Sequence, residues 1–279
     1  MGIAEFGVHG GRTLVWLHGT PGARRQVPQA ARLLAAERGL RIIGIDRPGV
    51  GLSTPHLYDQ IIDFTADLEI VVDRLGIEDF SVVGLSGGGP YALAAGHELP
   101  DRVRTVGVLG GVVPTRGPDA IGGGLVSLAT RLAPVLPAVR VPAGYLLTGL
   151  IRAIKPFGPT LLELYARVSP EGDREVLLRP EVKAMFLDDL TENGGRSMRA
   201  VMADVILFTR EWGFSPRDLR VPVWWWHGDA DHIVPFAHGE QMVPMIPGAQ
   251  LRVRPGESHL GGLGIAAEVL DTLLDWPAR

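Results

Sequence analysis

Four short apolar runs rich in β-branched residues recur at regular intervals in the first part of the chain. They are TLVWLHG from Thr13, LRIIGID from Leu40, FSVVGLS from Phe80 and VRTVGVLGG from Val103, and each ends in glycine-rich sequence. Between them lie segments with helical spacing of apolar residues, such as AARLLAAERG and TADLEIVVDRLG. Strands that are apolar on both faces and alternate with helices are typical of a parallel sheet covered on each side.

The same alternation returns near the end of the sequence. VPVWWWHG from Val221 and AQLRVRPG from Ala249 predict two further strands, and a closing helix is predicted from about Gly264 to Trp276. The three tryptophans of the first of these runs, 224–226, are interpreted as core residues that face the helices on both sides. We therefore predict an α/β fold with a mostly parallel central sheet and helices on both faces.

Between Pro114 and about Gly195 the pattern changes to helical segments broken by Pro and Gly, such as TLLELYARVS and PEVKAMFLDDL. This change predicts an inserted helical cap over residues 115–195, with the core formed by 1–114 and 196–279. The next segment, SMRAVMADVILFTREWGF, leads directly into the strand at Val221, so we assign it to the core. The part from Ile121 to Phe157 is apolar with spaced basic residues. It predicts a lid packed on the core, and contact with a membrane surface is the alternative.

Composition narrows the function classes. Hydrophobic residues make up 46% and charged residues 21%, which excludes intrinsic disorder, and the net charge of −4 gives no positive field for nucleic acid. The absence of cysteine excludes disulfides, thiolate metal sites and a cysteine nucleophile. The start, MGIAEFG, has no basic stretch followed by an apolar run, so we expect a cytoplasmic protein.

The sequence Gly84-Leu85-Ser86-Gly87-Gly88 fits the pattern G-x-S-x-G. It follows a predicted strand and opens a predicted helix, which is the strand-turn-helix that exposes a serine hydroxyl at the end of a sheet. The alternative is a glycine-rich turn whose serine only caps the helix. A serine needs a base to become a nucleophile, and the base needs an acid that fixes its tautomer.

Candidates for both follow the last two predicted strands. Asp229 and Asp231 lie in GDADHIVP, and His259 lies in GESHL. The loops after parallel strands gather at one edge of a sheet, so Ser86, Asp231 and His259 are expected to meet there. Asp229 is the competing acid, with a turn-forming role as its alternative. Glu257, beside His259, is expected to be solvated.

Five motifs in this order resemble those of the α/β-hydrolase superfamily: HGTPG at His18, DRPGVGLS at Asp46, GLSGGG at Gly84, GDADHIVP at Gly228 and GESHL at Gly256. The resemblance implies Ser86 as nucleophile, His259 as general base and Asp231 as the orienting acid. It favours Asp231 over Asp229, because the carboxylate precedes by four residues the proline that starts the next helix. Cap-bearing esterases look most similar.

The resemblance also implies an oxyanion hole and a shape for the sheet. One backbone donor would be Gly87, at a helix N-terminus, and the other would lie in HGTPG, where Thr20 is expected because Pro21 has no N–H. The turn starting at Asp46 is interpreted as structural and is left out of the site. The dozen residues before Thr13 are too few for the pair of leading strands often found in the superfamily, so the sheet is expected to be trimmed there.

The expected function is a cofactor-free serine hydrolase that cleaves a carboxylic ester of a small or medium apolar substrate through an acyl-enzyme. Branches of the superfamily with an aspartate nucleophile are excluded by Ser86. Carbon–carbon bond hydrolases, thioesterases, lactonases, perhydrolases, aminopeptidases and a ligand receptor on the same fold remain as alternatives. The histidines around Asp231 lack the spacing of a zinc helix, so no metal is expected, and a small-molecule substrate is the expected partner.

Overall fold

Seven strands form one sheet in the part of the chain that the computed structural model describes, residues 1–189 and 198–275, with the side chains of 125–128 left aside. The strands are β1 (Ile3–Gly7), β2 (Arg12–Leu17), β3 (Leu40–Ile45), β4 (Phe80–Leu85), β5 (Val103–Leu109), β6 (Val223–Gly228) and β7 (Gln250–Arg254). Their order is β1-β3-β2-β4-β5-β6-β7, and all neighbours are parallel except β1 and β3. The predicted α/β fold with a mostly parallel sheet is confirmed.

The first strand had no counterpart among the predicted strands. β1 pairs antiparallel with β3, with Ile3 opposite Ile45 and Gly7 opposite Arg41. Its five residues are half-buried or exposed, so it lacks the continuous apolar run that marks the inner strands. One leading strand, rather than a pair, precedes β2, as expected from the dozen residues available.

Helices cover both faces of the sheet. On one face pack α2 (Phe64–Arg74), α3 (Gly89–Glu98) and α10 (Phe236–Met242), and on the other pack α1 (Gln29–Glu37) and α11 (Ala266–Leu274). The predicted closing helix is α11, and the predicted end at Trp276 lies outside the described residues. Successive side chains of β6 enter the two layers: Trp225 lies in the first core and Trp226 in the second, both fully buried, while the half-buried Trp224 packs beside Trp226.

From Gly124 onward, the described part of the predicted cap segment consists of helices joined by short turns. It contains α4 (Gly124–Leu132), α5 (Leu136–Ile154), α6 (Gly158–Val168), α7 (Glu171–Leu177) and α8 (Pro180–Asp188). α9 (Arg199–Phe208) follows and leads to β6. The predicted boundary between residues 195 and 196 lies outside the described residues, and the division into core and cap stays a prediction. None of the helices described is long and apolar enough to cross a membrane.

Candidate active site

Four strands end in the loops that carry the predicted site residues. Thr20 follows β2, Ser86 follows β4, Asp231 follows β6 and His259 follows β7. Because these strands are parallel, their carboxyl ends lie at one edge of the sheet. Residues as far apart in sequence as Thr20 and His259 therefore share one site.

Ser86 occupies a sharp turn between β4 and α3. Its φ is +51°, the only positive value at a non-glycine residue within the described ranges. A Cβ on Gly84 would lie 2.3 Å from the carbonyl oxygen of Gly88, and one on Gly88 would lie 2.3 Å from that of Leu17. Only glycine fits at both positions, so the two glycines of G-x-S-x-G allow the strained turn that presents the serine hydroxyl.

A continuous hydrogen-bonded chain links the three predicted catalytic residues. Ser86 Oγ lies 2.9 Å from His259 Nε2, and His259 Nδ1 lies 2.8 Å from Asp231 Oδ2. His259 and Asp231 are buried, whereas Ser86 is partly exposed toward a cavity. The Nδ1–H of His259 donates to the carboxylate, which leaves Nε2 able to accept the proton of Ser86.

The electrostatics of Asp231 favour its ionised form. Burial alone would raise its pKa, but hydrogen bonds from His227 and His259 outweigh burial and hold the pKa well below its usual range. Asp231 Oδ1 also accepts the backbone N–H groups of Ile233 and Val234, each at 2.9 Å. Asp231 therefore remains a carboxylate at weakly acidic pH.

His227 is a second histidine on the same carboxylate. Its Nε2 lies 3.3 Å from Asp231 Oδ2 and 2.9 Å from the carbonyl oxygen of Val234, while its Nδ1 accepts the indole N–H of Trp225 at 3.1 Å. These partners fix the proton on Nε2. His227 is one of the histidines around Asp231 noted in the sequence, and in the structure it belongs to the buried support of that carboxylate.

The two predicted oxyanion donors lie next to each other. Gly87 starts the turn into α3, and a Cβ on it would lie 2.4 Å from Thr20 Oγ1. In the loop after β2, the Gly19 N–H donates to Gln26 Oε1 at 2.7 Å, and Pro21 has no N–H. Thr20 and Gly87 therefore stay the predicted pair of oxyanion donors.

A buried charge network behind Thr20 was missed by the sequence analysis. Asp204 of α9 accepts hydrogen bonds from Thr20 Oγ1 at 2.7 Å, from Arg47 Nη2 at 2.6 Å and from the Tyr91 hydroxyl at 2.9 Å. Arg47 also donates to the carbonyl oxygens of His18 and Gly19. Arg47 lies in the turn interpreted as structural, and its side chain holds the loop that carries Thr20.

Two sequence features could have revealed this network. Asp204 is a lone carboxylate in the apolar run VMADVILF, and a charge in such a helix is rarely buried without a partner. Its buried partner Arg47 belongs to a motif already noted. For the neighbouring Asp46 the structural interpretation is confirmed, because its carboxylate accepts the backbone N–H groups of Arg24 and Leu52.

One residue of the predicted cap contacts the loop that carries His259. Asp173 of α7 is buried, and its Oδ1 accepts the backbone N–H of Leu260 at 2.8 Å. Burial raises the pKa of Asp173, and the nearby Asp231 adds to that effect, against hydrogen bonds from Leu260 and Ser258 that lower it. No sequence pattern pointed to this contact.

A cavity of about 340 Å³ opens onto Ser86 and His259. Its walls are mainly apolar and come from the strand-end loops, α9 and the predicted cap; they include Val50, Leu85, Ile151, Leu162, Tyr165, Leu177, Phe186, Met198 and Val201. Polar groups come from Thr20, Gln26 and Asp189. No Lys or Arg is among the lining residues that the structure describes.

The remaining candidates have other roles. Asp229 Oδ1 accepts the backbone N–H of Gly256 at 2.8 Å, which confirms its turn-forming alternative. Glu257 was expected to be solvated, but it is half-buried and pairs with Arg254 at 2.7 Å. In residues 1–189 and 198–275, no three His, Asp or Glu side chains are grouped as ligands of a metal ion.

Comparisons with known proteins agree with this architecture. A family model described as alpha/beta hydrolase fold matches residues 12–130. The chain is 27% identical over 254 residues to a non-heme haloperoxidase of Rhodococcus erythropolis, covering 89% of this chain and 86% of that protein. It is 26% identical over 283 residues to a 2-hydroxy-6-oxo-6-phenylhexa-2,4-dienoate hydrolase of Burkholderia cepacia, covering 92% and 86%.

Solved structures share the fold at lower identity. The esterase RhEst1 from Rhodococcus sp. ECU1013 superposes with a TM-score of 0.68 at 22% identity, covering 99% of this chain and 94% of that one. Sheet topology and these likenesses define a protein with the α/β-hydrolase fold. Residues 12–130 match the family model, and the rest of the chain is similar to proteins of the same fold at lower identity.

Proposed function

We propose that the protein is a carboxylic-ester hydrolase that works through Ser86, His259 and Asp231. The observation that carries the proposal is the chain of contacts from Ser86 Oγ to His259 Nε2 and from His259 Nδ1 to Asp231, at 2.9 and 2.8 Å. The left-handed backbone of Ser86 supports the same role. A turn in which Ser86 only caps a helix does not explain a buried histidine and carboxylate aligned on its hydroxyl.

In the proposed mechanism, Ser86 Oγ attacks the ester carbonyl while His259 Nε2 takes its proton, and the carbonyl oxygen becomes an oxyanion. The backbone N–H groups of Thr20 and Gly87 stabilise this oxyanion. His259 then donates the proton to the leaving alcohol, and an acyl-Ser86 intermediate remains. Water, deprotonated by His259, attacks the acyl group, and collapse of the second oxyanion returns the proton to Ser86 and releases the acid.

The size and lining of the cavity support an uncharged ester of small or medium size as the proposed substrate. Its volume of about 340 Å³ and its apolar walls favour an uncharged acyl or alcohol group. The relatives are named for different reactions, so their names do not indicate which reaction this protein catalyses. The Burkholderia cepacia relative is named for a dienoate, a carboxylate, but the described lining offers no Lys or Arg to bind such a group.

Labelling and turnover measured together test the proposal. We expect a fluorophosphonate probe to label the wild type and not to label Ser86→Ala. A series of p-nitrophenyl esters from short to long acyl chains should show turnover that depends on chain length, with kcat at least about 10⁴-fold lower in Ser86→Ala. Labelling without turnover of any ester would redirect the function to another bond or to a receptor, and no labelling would refute Ser86 as nucleophile.

A further inference from the structure

The outward face of α5 is apolar along its length. Val139, Pro142, Leu146, Leu150 and Ala153 follow helical spacing, and all five are exposed. Leu146 and Leu150 expose 74% and 55% of their surface. The opposite face is buried at Gly144 and Thr148. A lid that only packed on the core would show a polar outer face, so the simpler interpretation from sequence does not account for α5.

The next helix also carries exposed apolar residues. On α6, Leu161, Leu164 and Val168 lie on one face, and Leu164 and Val168 are 56% and 76% exposed. Phe157, in the turn between α5 and α6, is also exposed. We call these residues of α5, α6 and the turn the apolar cap face. Contiguous apolar surfaces on soluble proteins commonly mark interaction sites.

Charge is segregated in the same region. Residues 120–168 contain one acidic residue, Glu163, and five basic residues, Arg131, Arg140, Arg152, Lys155 and Arg167, so this stretch carries +4 in a chain whose net charge is −4. Basic residues among exposed apolar side chains are the composition of a surface that enters the headgroup region of an anionic membrane. A second copy of this chain would bring the same positive charge to a symmetric contact, which opposes such pairing.

We propose that the apolar cap face docks on anionic membrane surfaces. α5 would lie in the plane of the interface, with Leu146 and Leu150 in the boundary between headgroups and acyl chains and the basic residues among the lipid phosphates. Ile151 of α5 and Leu162 and Tyr165 of α6 line the cavity that contains Ser86, and Tyr165 is also exposed. Docking would therefore bring the cavity close to apolar molecules dissolved in the bilayer.

Vesicle flotation tests the docking without turnover, because it uses the full chain carrying Ser86→Ala. We expect the protein to float with vesicles of one part phosphatidylglycerol to three parts phosphatidylcholine, to float at least about tenfold less with phosphatidylcholine alone, and to detach at high salt. Arg131→Gln with Lys155→Gln should lower partitioning roughly 30-fold. Leu146→Ser with Leu150→Ser should lower it at least about tenfold.

A matched control removes equally exposed apolar side chains from the core. Leu33→Ser with Ile70→Ser, which are 62% and 53% exposed on α1 and α2, should leave flotation unchanged. When the same substitutions are made in the protein that keeps Ser86, each variant should turn over a short water-soluble ester at the wild-type rate. That result shows that the variants are folded. If that turnover is absent from the start, thermal unfolding replaces it, so the docking test stands apart from the proposed hydrolysis.

Three results would overturn the docking proposal. They are no flotation with either vesicle, an equal loss of flotation in the core control, and a dimer in solution that Leu146→Ser with Leu150→Ser dissociates while vesicles bind nothing. The dimer would assign the apolar cap face to a second copy, and multi-angle light scattering measures it directly.

Discussion

Thr20 Oγ1 donates a 2.7 Å hydrogen bond to Asp204 Oδ2, a carboxylate 184 residues further along the chain. The same hydroxyl accepts a hydrogen bond from Arg47 Nη2 at 2.7 Å. Arg47 and Asp204 are both buried and paired, so each neutralises the other behind the loop after β2. This pair fixes the side chain of the residue whose backbone N–H is proposed to bind the oxyanion.

Removing the Thr20 hydroxyl should therefore slow the chemical step. In Thr20→Val the backbone N–H remains but loses its anchor, and we expect kcat to fall about 10- to 100-fold with little change in KM, below the 10²- to 10³-fold loss typical of a deleted oxyanion donor. Thr20→Ser keeps the hydroxyl and should stay close to wild type. Initial rates on a short p-nitrophenyl ester measure both, and equal kcat in the two variants would contradict the positioning role.

The two aspartates after β6 should differ sharply in their effect on rate. Asp231→Asn weakens the acceptor that orients His259 and should lower kcat about 10⁴-fold. Asp229→Asn affects only the turn at Gly256, so kcat should stay close to wild type. Circular dichroism checks that both variants are folded. If Asp229→Asn gave the larger loss, the acid would be misassigned.

The motifs locate the candidate catalytic residues because each motif follows a strand of a parallel sheet. The order Ser86, Asp231, His259 and the strand predictions together place these residues at one sheet edge, and their separations in the structure agree with that expectation. Sequence reasoning alone left Asp229 open, and only family spacing selected Asp231. The two side chains have different partners in the structure: Asp231 accepts the backbone N–H of Ile233, whereas Asp229 accepts that of Gly256.

The supporting residues could not be placed in the same way, because their partners are fixed by packing rather than by local pattern. Asp204 meets Thr20 and Arg47 only because α9 passes behind the loop after β2. Asp173 reaches the loop after β7 from a helix of the predicted cap. β1 escaped prediction because an edge strand with half-buried residues lacks the apolar run of an inner strand.

Residues of the predicted cap should control which acyl chains fit. Leu162 of α6 lines the cavity, so Leu162→Trp should lower kcat/KM for long esters relative to short ones. Leu164, on the same helix, is exposed and is not among the lining residues described, so Leu164→Trp serves as the matched control and should leave the ratio unchanged. Identical chain-length profiles for Leu162→Trp and wild type would contradict a cavity shaped by these helices.

Asp173 should make the free energy of unfolding depend on pH, and the substitution Asp173→Asn should remove this contribution. Its folded pKa is raised, chiefly by burial, so its contribution to stability is complete below the unfolded value of 3.8 and is lost as the pH rises through the raised folded pKa. Asp173→Asn keeps an oxygen that can accept the Leu260 N–H and carries no charge. We therefore expect Asp173→Asn to unfold at a higher temperature than wild type at pH 7, with the difference shrinking toward zero as the pH falls below 3.8.

A second substitution separates the charge of Asp173 from its hydrogen bond. Asp173→Ala leaves the buried Leu260 N–H without its acceptor and should destabilise the protein by about 1–3 kcal/mol at low pH as well as at neutral pH. The acid dependence of Asp231 is common to all three proteins, so the differences between melting curves at each pH isolate Asp173. A variant Asp173→Asn that is less stable than wild type at pH 7 and at pH 3.5 would show that the hydrogen bonds of the carboxylate outweigh the cost of burying it.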